Sequence, residues 1–277
     1  TMFVIIIIFN ILIFYNIDKI NNLFNIFDYP DNIRKLHKER VALTGGLILF
    51  ANFLIIFCYS LYTQSQHDIA INIISGSKTN ELYSIILGST LFYLLGFFDD
   101  KYNIDGKIKL FLQFIIILSV LTIDPGLVFK ELNLSFIKIS FIYLHSGFIF
   151  SLLCYLLFIN AFNLFDGINL QSGSYTLLLI VMYLILINGN SDIFLLIPSV
   201  ILFLILNFKN KIFLGDSGTL FISYLMSSLF IKGHIYGEMY FADIIGLLFI
   251  VPIYEIIRLG TVRILRKENP FCGDRNH

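Results

Sequence analysis

Four aspartates and several amides stand at the ends of apolar segments, where they could bind a metal ion or a phosphate. The first group is Asn160-Ala-Phe-Asn-Leu-Phe-Asp-Gly167, which follows an uncharged apolar run at 147–159. Asn160, Asn163 and Asp166 are three residues apart, so on a helix they spread across one face within roughly 120°. Such a face could hold a cation and hydrogen-bond a polar ligand. The alternative is a helix end that emerges into water.

A second group pairs two carboxylates with two lysines. Gly96-Phe-Phe-Asp-Asp100 places Asp99 and Asp100 side by side, and Lys107 and Lys109 follow within ten residues. Adjacent carboxylates repel each other, which raises the pKa of one of them unless a cation neutralises the pair. The nearby lysines suit a polyphosphate better than a lone metal ion. The alternative interpretation is a solvated, charged loop.

The third group, Phe213-Leu-Gly-Asp-Ser-Gly218, leads directly into an apolar run. We expect Asp216 or Ser217 to cap the helix that begins there. The start of a helix offers free N–H groups and the positive end of the helix dipole to a phosphate. Asp216 could share a divalent ion with that phosphate. An ordinary helix cap is the alternative.

Taken together, the three groups predict a site for a nucleotide diphosphate with Mg²⁺ at the boundary between lipid and water. Mg²⁺ in proteins typically binds one or two carboxylates together with substrate phosphates and water. The predicted carboxylates are Asp99, Asp100, Asp166 and Asp216.

The elements that must position these groups are membrane helices. The 277 residues are 57% hydrophobic and only 14% charged, with a mean hydropathy of +0.84, whereas a soluble domain is about 25% charged. We therefore expect an all-α polytopic membrane protein, with residues 1–277 forming a single integral membrane domain that is truncated at both ends. Apolar runs of near-spanning length fall at about 2–17, 45–63, 82–98, 108–123, 147–164, 174–188, 193–207, 219–231 and 241–258. They predict about nine transmembrane helices here, and ten or eleven in the intact protein.

The loops between the predicted helices differ in charge. Most of the 19 lysines and arginines lie on one side, which the positive-inside rule assigns to the cytoplasm. All three polar groups lie on that side. On the opposite side, residues 132–140 alternate between apolar and polar and predict a short external β-hairpin. The 3 cysteines are too few and scattered for a disulfide framework, and the absence of a strongly basic face argues against nucleic-acid binding.

These motifs resemble those of the polyprenyl-phosphate N-acetylhexosamine-1-phosphate transferases, bacterial membrane enzymes that join a sugar 1-phosphate from a UDP-sugar to undecaprenyl phosphate and release UMP. The resemblance covers nearly the whole chain, and the motifs occur in the family's order. They are Asp28-Tyr-Pro-Asp31 with Arg34-Lys-Leu-His37 and Gly45-Gly46, the double aspartate with its lysines, the Asn160–Gly167 and Phe213–Gly218 segments, and Pro270-Phe-Cys-Gly-Asp-Arg-Asn-His277.

The resemblance implies a Mg²⁺-dependent sugar-phosphate transferase in the bacterial inner membrane, with its active site on the cytoplasmic face and Mn²⁺ as an alternative ion. It also implies a role for each matching residue. Asp216 would bind the metal with help from Asp100 and Asn163, Asp99 would orient or deprotonate the lipid phosphate, and Asp166 and Asn169 would lie near the nucleotide. Lys107, Lys109 and His277 would lie near phosphates, and Asn160 would contribute to substrate binding.

The chain departs from the family pattern at several positions. Asn103 replaces a usual acidic residue, Asn169 replaces the second aspartate of the Asp-Gly repeat, Lys209-Asn-Lys211 replaces Pro-Ala, and the histidine motif stops at His277. The segment from Pro270 to His277 most resembles that of the enzymes that initiate O-antigen, enterobacterial-type or teichoic-acid glycans. These enzymes use UDP-GlcNAc or a related N-acetylated sugar. The alternatives are the peptidoglycan branch, which uses UDP-MurNAc-pentapeptide, a transporter, and an inactive scaffold. A homodimer is compatible with each of them.

Overall fold

The computed structural model describes residues 2–30, 39–66, 79–140, 144–187, 191–236 and 241–265. Within these ranges the chain forms nine α-helices, one for each predicted apolar run, so the expected helical class is confirmed. The helices are α1 (Met2–Phe24), α2 (Gly45–Gln66), α3 (Thr79–Tyr102), α4 (Gly106–Ile123), α5 (Leu144–Phe165), α6 (Gln171–Leu186), α7 (Ile197–Phe208), α8 (Gly215–Ile235) and α9 (Ala242–Leu265).

Five helices contain segments that are long and apolar enough to cross a membrane, counted over the described residues. These segments are Met2–Phe24, Gly45–Tyr62, Gly106–Ile123, Ser146–Phe165 and Ala242–Val262. By contrast, α6 and α7 have 16 and 12 residues, short of the roughly 20 that a span requires. That all nine helices cross the membrane, and that the intact protein has ten or eleven, stays a prediction.

Two short strand pairs connect the helices. Strands β1 (Phe27–Asp28) and β2 (Val41–Ala42) pair antiparallel before α2 begins. Strands β3 (Glu131–Asn133) and β4 (Lys138–Ser140) form an antiparallel hairpin, where the alternating pattern predicted one. The hairpin follows the end of α4, so it lies at the opposite end of that helix from the double aspartate. Its position outside the membrane stays a prediction.

Helix α8 is the centre of the bundle. Every residue from Ser217 to His234 is buried, and α8 packs against α2, α3, α5 and α6. Two of its serines bond within the helix, because Ser223 and Ser227 each donate a 2.7 Å hydrogen bond to the carbonyl four residues earlier. Small residues and locally bonded hydroxyls let helices approach closely in an apolar environment.

Two glycines set the distance between α8 and its neighbours. A Cβ atom at Gly96 of α3 would lie 2.2 Å from the carbonyl oxygen of Asp216. One at Gly46 of α2 would lie 2.3 Å from the backbone nitrogen of Gly218. Both distances are shorter than any real contact, so only glycine allows α2 and α3 to reach the start of α8.

Candidate active site

Helices α3, α4 and α8 bring three charged side chains together at one end of the bundle. The ammonium nitrogen of Lys109, near the start of α4, lies 2.6 Å from Asp99 Oδ2 and 2.8 Å from Asp216 Oδ2. The other oxygen of Asp99 accepts the N–H of Ile104 at 2.7 Å, which fixes this carboxylate where the chain turns from α3 to α4. A cation thus lies between two carboxylates that belong to different helices.

Asp100 caps helix α8 from outside that helix. Its two carboxylate oxygens accept the N–H groups of Asp216 at 2.7 Å and Ser217 at 3.0 Å. The sequence-based prediction that Asp216 or Ser217 caps α8 is therefore wrong, because the helix begins earlier, at Gly215, and the capping carboxylate comes from α3. Gly215 has φ +71, and a Cβ there would lie 2.7 Å from Asp100, so the glycine permits this close approach.

Asn163 extends the cluster towards α5. Its amide nitrogen donates to Asp216 Oδ1 and, at 2.8 Å, to the hydroxyl of Thr219. Asp216 is therefore contacted by Lys109 on one oxygen and by Asn163 on the other. If the Asn163 amide group were rotated by 180°, its oxygen instead of its nitrogen would lie beside the Asp216 carboxylate.

Asp166 lies just after the last residue of α5 and accepts a hydrogen bond from the hydroxyl of Ser172. Burial, together with the negative charges of Asp216 and Asp100, raises the pKa of Asp166 from 3.8 to about 7. The Ser172 hydrogen bond acts in the opposite direction, because it stabilises the ionised form. Asp166 therefore changes its charge near neutral pH when no cation is bound.

Amide side chains occupy the region beyond Asp166. Asn169 donates from its amide nitrogen to Asn210 Oδ1 at 2.5 Å. The next residue, Leu170, donates its backbone N–H to Asn207 Oδ1 at 2.7 Å. Two hydrogen bonds thereby join the loop after α5 to the last turn of α7 and to the segment that follows it.

These groups line a single cavity of about 1010 Å³. Its volume is at the upper end of the range for ligand pockets, roughly 300–1,000 Å³. We call the cluster around Asp99 and Asp216 its carboxylate end, and the region of Asn169, Asn207 and Asn210 its amide end. Asp28, Glu39 and Lys209 also lie in the wall. The predicted residues that line it are Asp99, Asp100, Asn163, Asp166, Asn169 and Asp216.

Four other predicted residues are not among those that line the cavity, and one of them is Lys109, which contacts the lining residues Asp99 and Asp216. Asn160 donates to Gln113 Oε1 and to the Leu156 carbonyl, both at 2.8 Å, inside the bundle. Lys107 is exposed near the start of α4 and outside the cavity wall. His277 lies outside the described residues, as do the 34–37 segment and the rest of the histidine motif. Their substrate-binding roles stay predictions.

The donor groups fit Mg²⁺ in one arrangement. No three His, Cys, Asp or Glu side chains within the described ranges form a metal-binding group, but Mg²⁺ typically needs only one or two carboxylates beside phosphate and water. Asp216 and Asn163 could supply two adjacent oxygens. Both oxygens of Asp100 accept N–H groups here, so its role as a metal ligand stays a prediction.

Sequence reasoning missed two well-positioned side chains. Gln113 is fully buried, pairs with Asn160 and lies one helical turn after Lys109. Asn207 is 4% exposed, and its amide nitrogen also donates to the Ile212 carbonyl at 2.9 Å. A polar residue within an otherwise apolar run was the available signal for both.

Known proteins with similar sequences are membrane-lipid sugar transferases by name. The chain is 26% identical over 259 residues to a probable undecaprenyl-phosphate N-acetylglucosaminyl 1-phosphate transferase of Bacillus subtilis, covering 90% of this chain and 67% of that protein. It is 24% identical to the undecaprenyl-phosphate alpha-N-acetylglucosaminyl 1-phosphate transferase of Yersinia pestis, covering 89% and 66%. A putative UDP-N-acetylglucosamine–dolichyl-phosphate N-acetylglucosaminephosphotransferase of Sulfolobus acidocaldarius is 30% identical, covering 76% and 64%. The chain thus spans about two thirds of the length of these relatives.

The family model described as glycosyl transferase family 4 matches residues 82–234. This range includes all four predicted aspartates and α8 except for its last residue. The apolar helices and the similarity to transferases that act on membrane lipids identify a multi-pass membrane transferase. The chain therefore belongs to glycosyl transferase family 4.

Proposed function

We propose that this protein transfers an N-acetylhexosamine 1-phosphate group from a UDP-sugar to undecaprenyl phosphate. The observation that carries the proposal is that Lys109 joins Asp99 and Asp216, two carboxylates that line a cavity whose wall also contains amides. The carboxylates suit a pyrophosphate that is bound together with Mg²⁺, and the amides suit a nucleotide or sugar. The names of the relatives supply the lipid phosphate acceptor and the N-acetylglucosamine 1-phosphate group.

In the proposed reaction, an oxygen of the lipid phosphate attacks the donor phosphorus that is nearest to the sugar. A phosphorus–oxygen bond forms to the lipid phosphate, and the bond from that phosphorus to the bridging oxygen breaks. The electron pair leaves with UMP, so lipid diphosphate-sugar and UMP are the products. Phosphoryl transfer of this kind depends mainly on positioning and on neutralisation of charge.

The charged residues divide this work. Lys109 neutralises the developing charge on the transferred phosphate, since it can exchange a carboxylate partner for a phosphate oxygen. Asp99, held by Ile104 N–H, orients the lipid phosphate. A phosphate monoester is already largely ionised at neutral pH, with a second pKa of about 6, so Asp99 need not remove a proton.

Asp216 and Asn163 would hold Mg²⁺ against the donor pyrophosphate. When bound, the ion supplies charge neutralisation to the phosphates and orients them. Asp100 supports this arrangement by holding the start of α8, and thus Asp216, against α3. Asp166 and Asn169 bind the nucleotide end of the donor.

The donor that we favour is UDP-GlcNAc or a derivative, at the cytoplasmic face of a bacterial inner membrane. The names of the relatives in Bacillus subtilis and Yersinia pestis specify N-acetylglucosaminyl 1-phosphate. The product would begin an O-antigen or teichoic-acid type of glycan. Incubation of membranes with undecaprenyl phosphate and radiolabelled UDP-GlcNAc or UDP-MurNAc-pentapeptide distinguishes the two donors, and labelled lipid from the second alone would contradict our choice.

Removal of Asp216 tests the site itself. We expect Asp216→Ala in the intact protein to lower Mg²⁺-dependent UMP release by about 10²–10³-fold, the usual loss for one well-placed electrostatic group. Asp18→Ala is the matched control, because the Asp18 side chain is 80% exposed and lies on α1. Undiminished UMP release by Asp216→Ala would overturn the metal assignment. A wild-type protein that releases no UMP would overturn the function.

A further inference from the structure

Two chain segments face each other at the amide end of the cavity. We call them the 166–170 loop, between α5 and α6, and the 209–214 segment, between α7 and α8. Four consecutive residues of the loop line the cavity, namely Asp166, Gly167, Ile168 and Asn169. The position of this loop therefore determines the shape of one cavity wall.

The loop ends in a strained turn. Leu170 has φ +70 and ψ −18, and the N–H of Gln171 donates to the Ile168 carbonyl at 3.2 Å. These angles are those of the third residue of a type II turn, a position that favours glycine. A leucine in this region is strained, and such strain persists only where surrounding contacts hold the backbone in place.

The contact that holds Leu170 comes from Asn207, in the last turn of α7. Asn207 Oδ1 accepts the Leu170 N–H at 2.7 Å, and Asn207 Nδ2 donates to the Ile212 carbonyl at 2.9 Å. One buried amide thus joins the strained residue to the segment that leads into α8. The hydrogen bond between Asn169 and Asn210 reinforces the same junction.

We infer that Asn207 is a positioning residue that sets the 166–170 loop, and thereby the affinity for the nucleotide part of the donor. This inference rests on the proposed function, because it assigns the amide end of the cavity to the UDP moiety. Asn207 also lines the cavity, but its amide oxygen and nitrogen are bonded to Leu170 and Ile212, so we assign its effect to the backbone of Leu170 and the loop residues before it. The acceptor lipid phosphate, at the carboxylate end, should be unaffected.

Substitution of Asn207 tests the inference. We expect Asn207→Ala to raise the dissociation constant for UDP-GlcNAc, measured by equilibrium dialysis, by about tenfold, equivalent to about 1.4 kcal/mol. The KM for undecaprenyl phosphate should stay within about twofold of the wild-type value. Asn207→Asp keeps the acceptor for Leu170 and loses the donor to Ile212, so its effect should be intermediate; it also serves if the alanine variant does not fold.

Asn52→Ala is the matched control. Asn52 is also a fully buried amide, bonded to Asn10 at 2.8 Å, but it joins α1 to α2 away from the cavity. We expect this variant to melt at a lower temperature with an unchanged dissociation constant for UDP-GlcNAc. An equal loss of affinity in Asn52→Ala would show a general structural effect and would overturn the inference.

A second substitution at the turn gives the sharpest test. Glycine adopts a positive φ without strain, so Leu170→Gly makes the turn less dependent on Asn207. Added to Asn207→Ala, it should recover at least half of the lost affinity on a logarithmic scale. No recovery, or an unchanged dissociation constant in Asn207→Ala, would overturn the inference. If the wild-type protein binds UDP-GlcNAc but does not transfer the sugar, the proposed function fails and the binding data still decide the inference. Absence of any binding would overturn both.

Discussion

Helices α4 and α8 are joined by a lysine–aspartate pair at each end. At the cavity end, α4 supplies Lys109 and α8 supplies Asp216, 2.8 Å apart. At the opposite end, α8 supplies Lys232 and α4 ends at its C-cap, Asp124, 2.7 Å apart. The two pairs have the same residue types and nearly the same distance, with the two helices exchanging roles.

The surroundings of the two pairs differ. The side chains of Lys109 and Asp216 are 13% and 32% exposed, and Asp216 lines the cavity, whereas the side chains of Lys232 and Asp124 are 0% and 2% exposed. Asp124 also accepts the Ser84 hydroxyl at 2.5 Å and the Gly126 N–H at 2.8 Å. In the accessible pair, Lys109 or Asp216 can exchange its partner for a ligand. The enclosed pair, Lys232 and Asp124, can only hold helices together. Access to the ion pair, more than its geometry, separates a site from a structural bond.

Disruption of the enclosed pair should have the largest effect. Lys232→Met leaves the Asp124 carboxylate buried without its cation, which typically costs about 3–5 kcal/mol. For a chain of this size that lowers the unfolding midpoint by on the order of 10 °C, as thermal scanning of the detergent-solubilised protein would measure. Removal of both charges in the double variant Lys232→Met/Asp124→Leu should restore part of the lost unfolding midpoint.

An exposed pair provides the control for this comparison. Lys211 and Asp18 are 3.8 Å apart, with side chains 45% and 80% exposed, and such surface pairs contribute little. The Lys211→Met variant should therefore have the same unfolding midpoint as the wild type. Equal midpoints for Lys232→Met and Lys211→Met would refute the distinction by burial.

Disruption of the accessible pair should affect activity more than stability. We expect Lys109→Met to lower transfer by about 10²–10³-fold, because a charge that faces the transferred phosphate is lost. Asp99 and Asp216 would then repel each other, so Mg²⁺ should raise the unfolding midpoint of this variant more than that of the wild type. Measurements in EDTA and in Mg²⁺ test this. A Lys109→Met protein that keeps full transfer would contradict the assignment.

The last prediction concerns pH. The folded protein holds the pKa of Asp166 at about 7, above its ordinary 3.8, so the folded state binds the proton more tightly than the unfolded state. The stability from this group is complete below about pH 4 and is lost as the pH rises through 7. Without divalent metal, the unfolding midpoint of the wild type should fall between these values, and Asp166→Asn should show a flatter profile. An identical pH profile in the two proteins would contradict the raised pKa of Asp166.

The helices were predictable because each apolar run is a local property of the chain. The run at 193–207 shows the limit, since its first part forms a 3₁₀ turn at Asp192–Leu196 and α7 begins only at Ile197, with a proline in its first turn. Proline lacks the N–H that would continue the preceding turn. The short hairpin was also visible as a local alternation.

The site was predictable in composition and only partly in geometry. The aspartates and Asn163 could be named, because polar residues beside apolar runs are unusual. The cap of α8 by Asp100 and the contact between Asn207 and Leu170 join residues 116 and 37 positions apart. Contacts at such separations depend on how the helices pack, and no local pattern specifies them.

The approach of α3 to α8 at Gly96 bears on how proteins like this one are recognised from sequence. A single methyl group at that position would lie 2.2 Å from the carbonyl oxygen of Asp216, so the spacing between the two acidic helix ends is set by a hydrogen atom. A chain that kept every aspartate but carried a larger residue there would hold its carboxylates too far apart to cooperate. Surveys that sort active from inactive members should therefore weigh this glycine as heavily as the acids beside it.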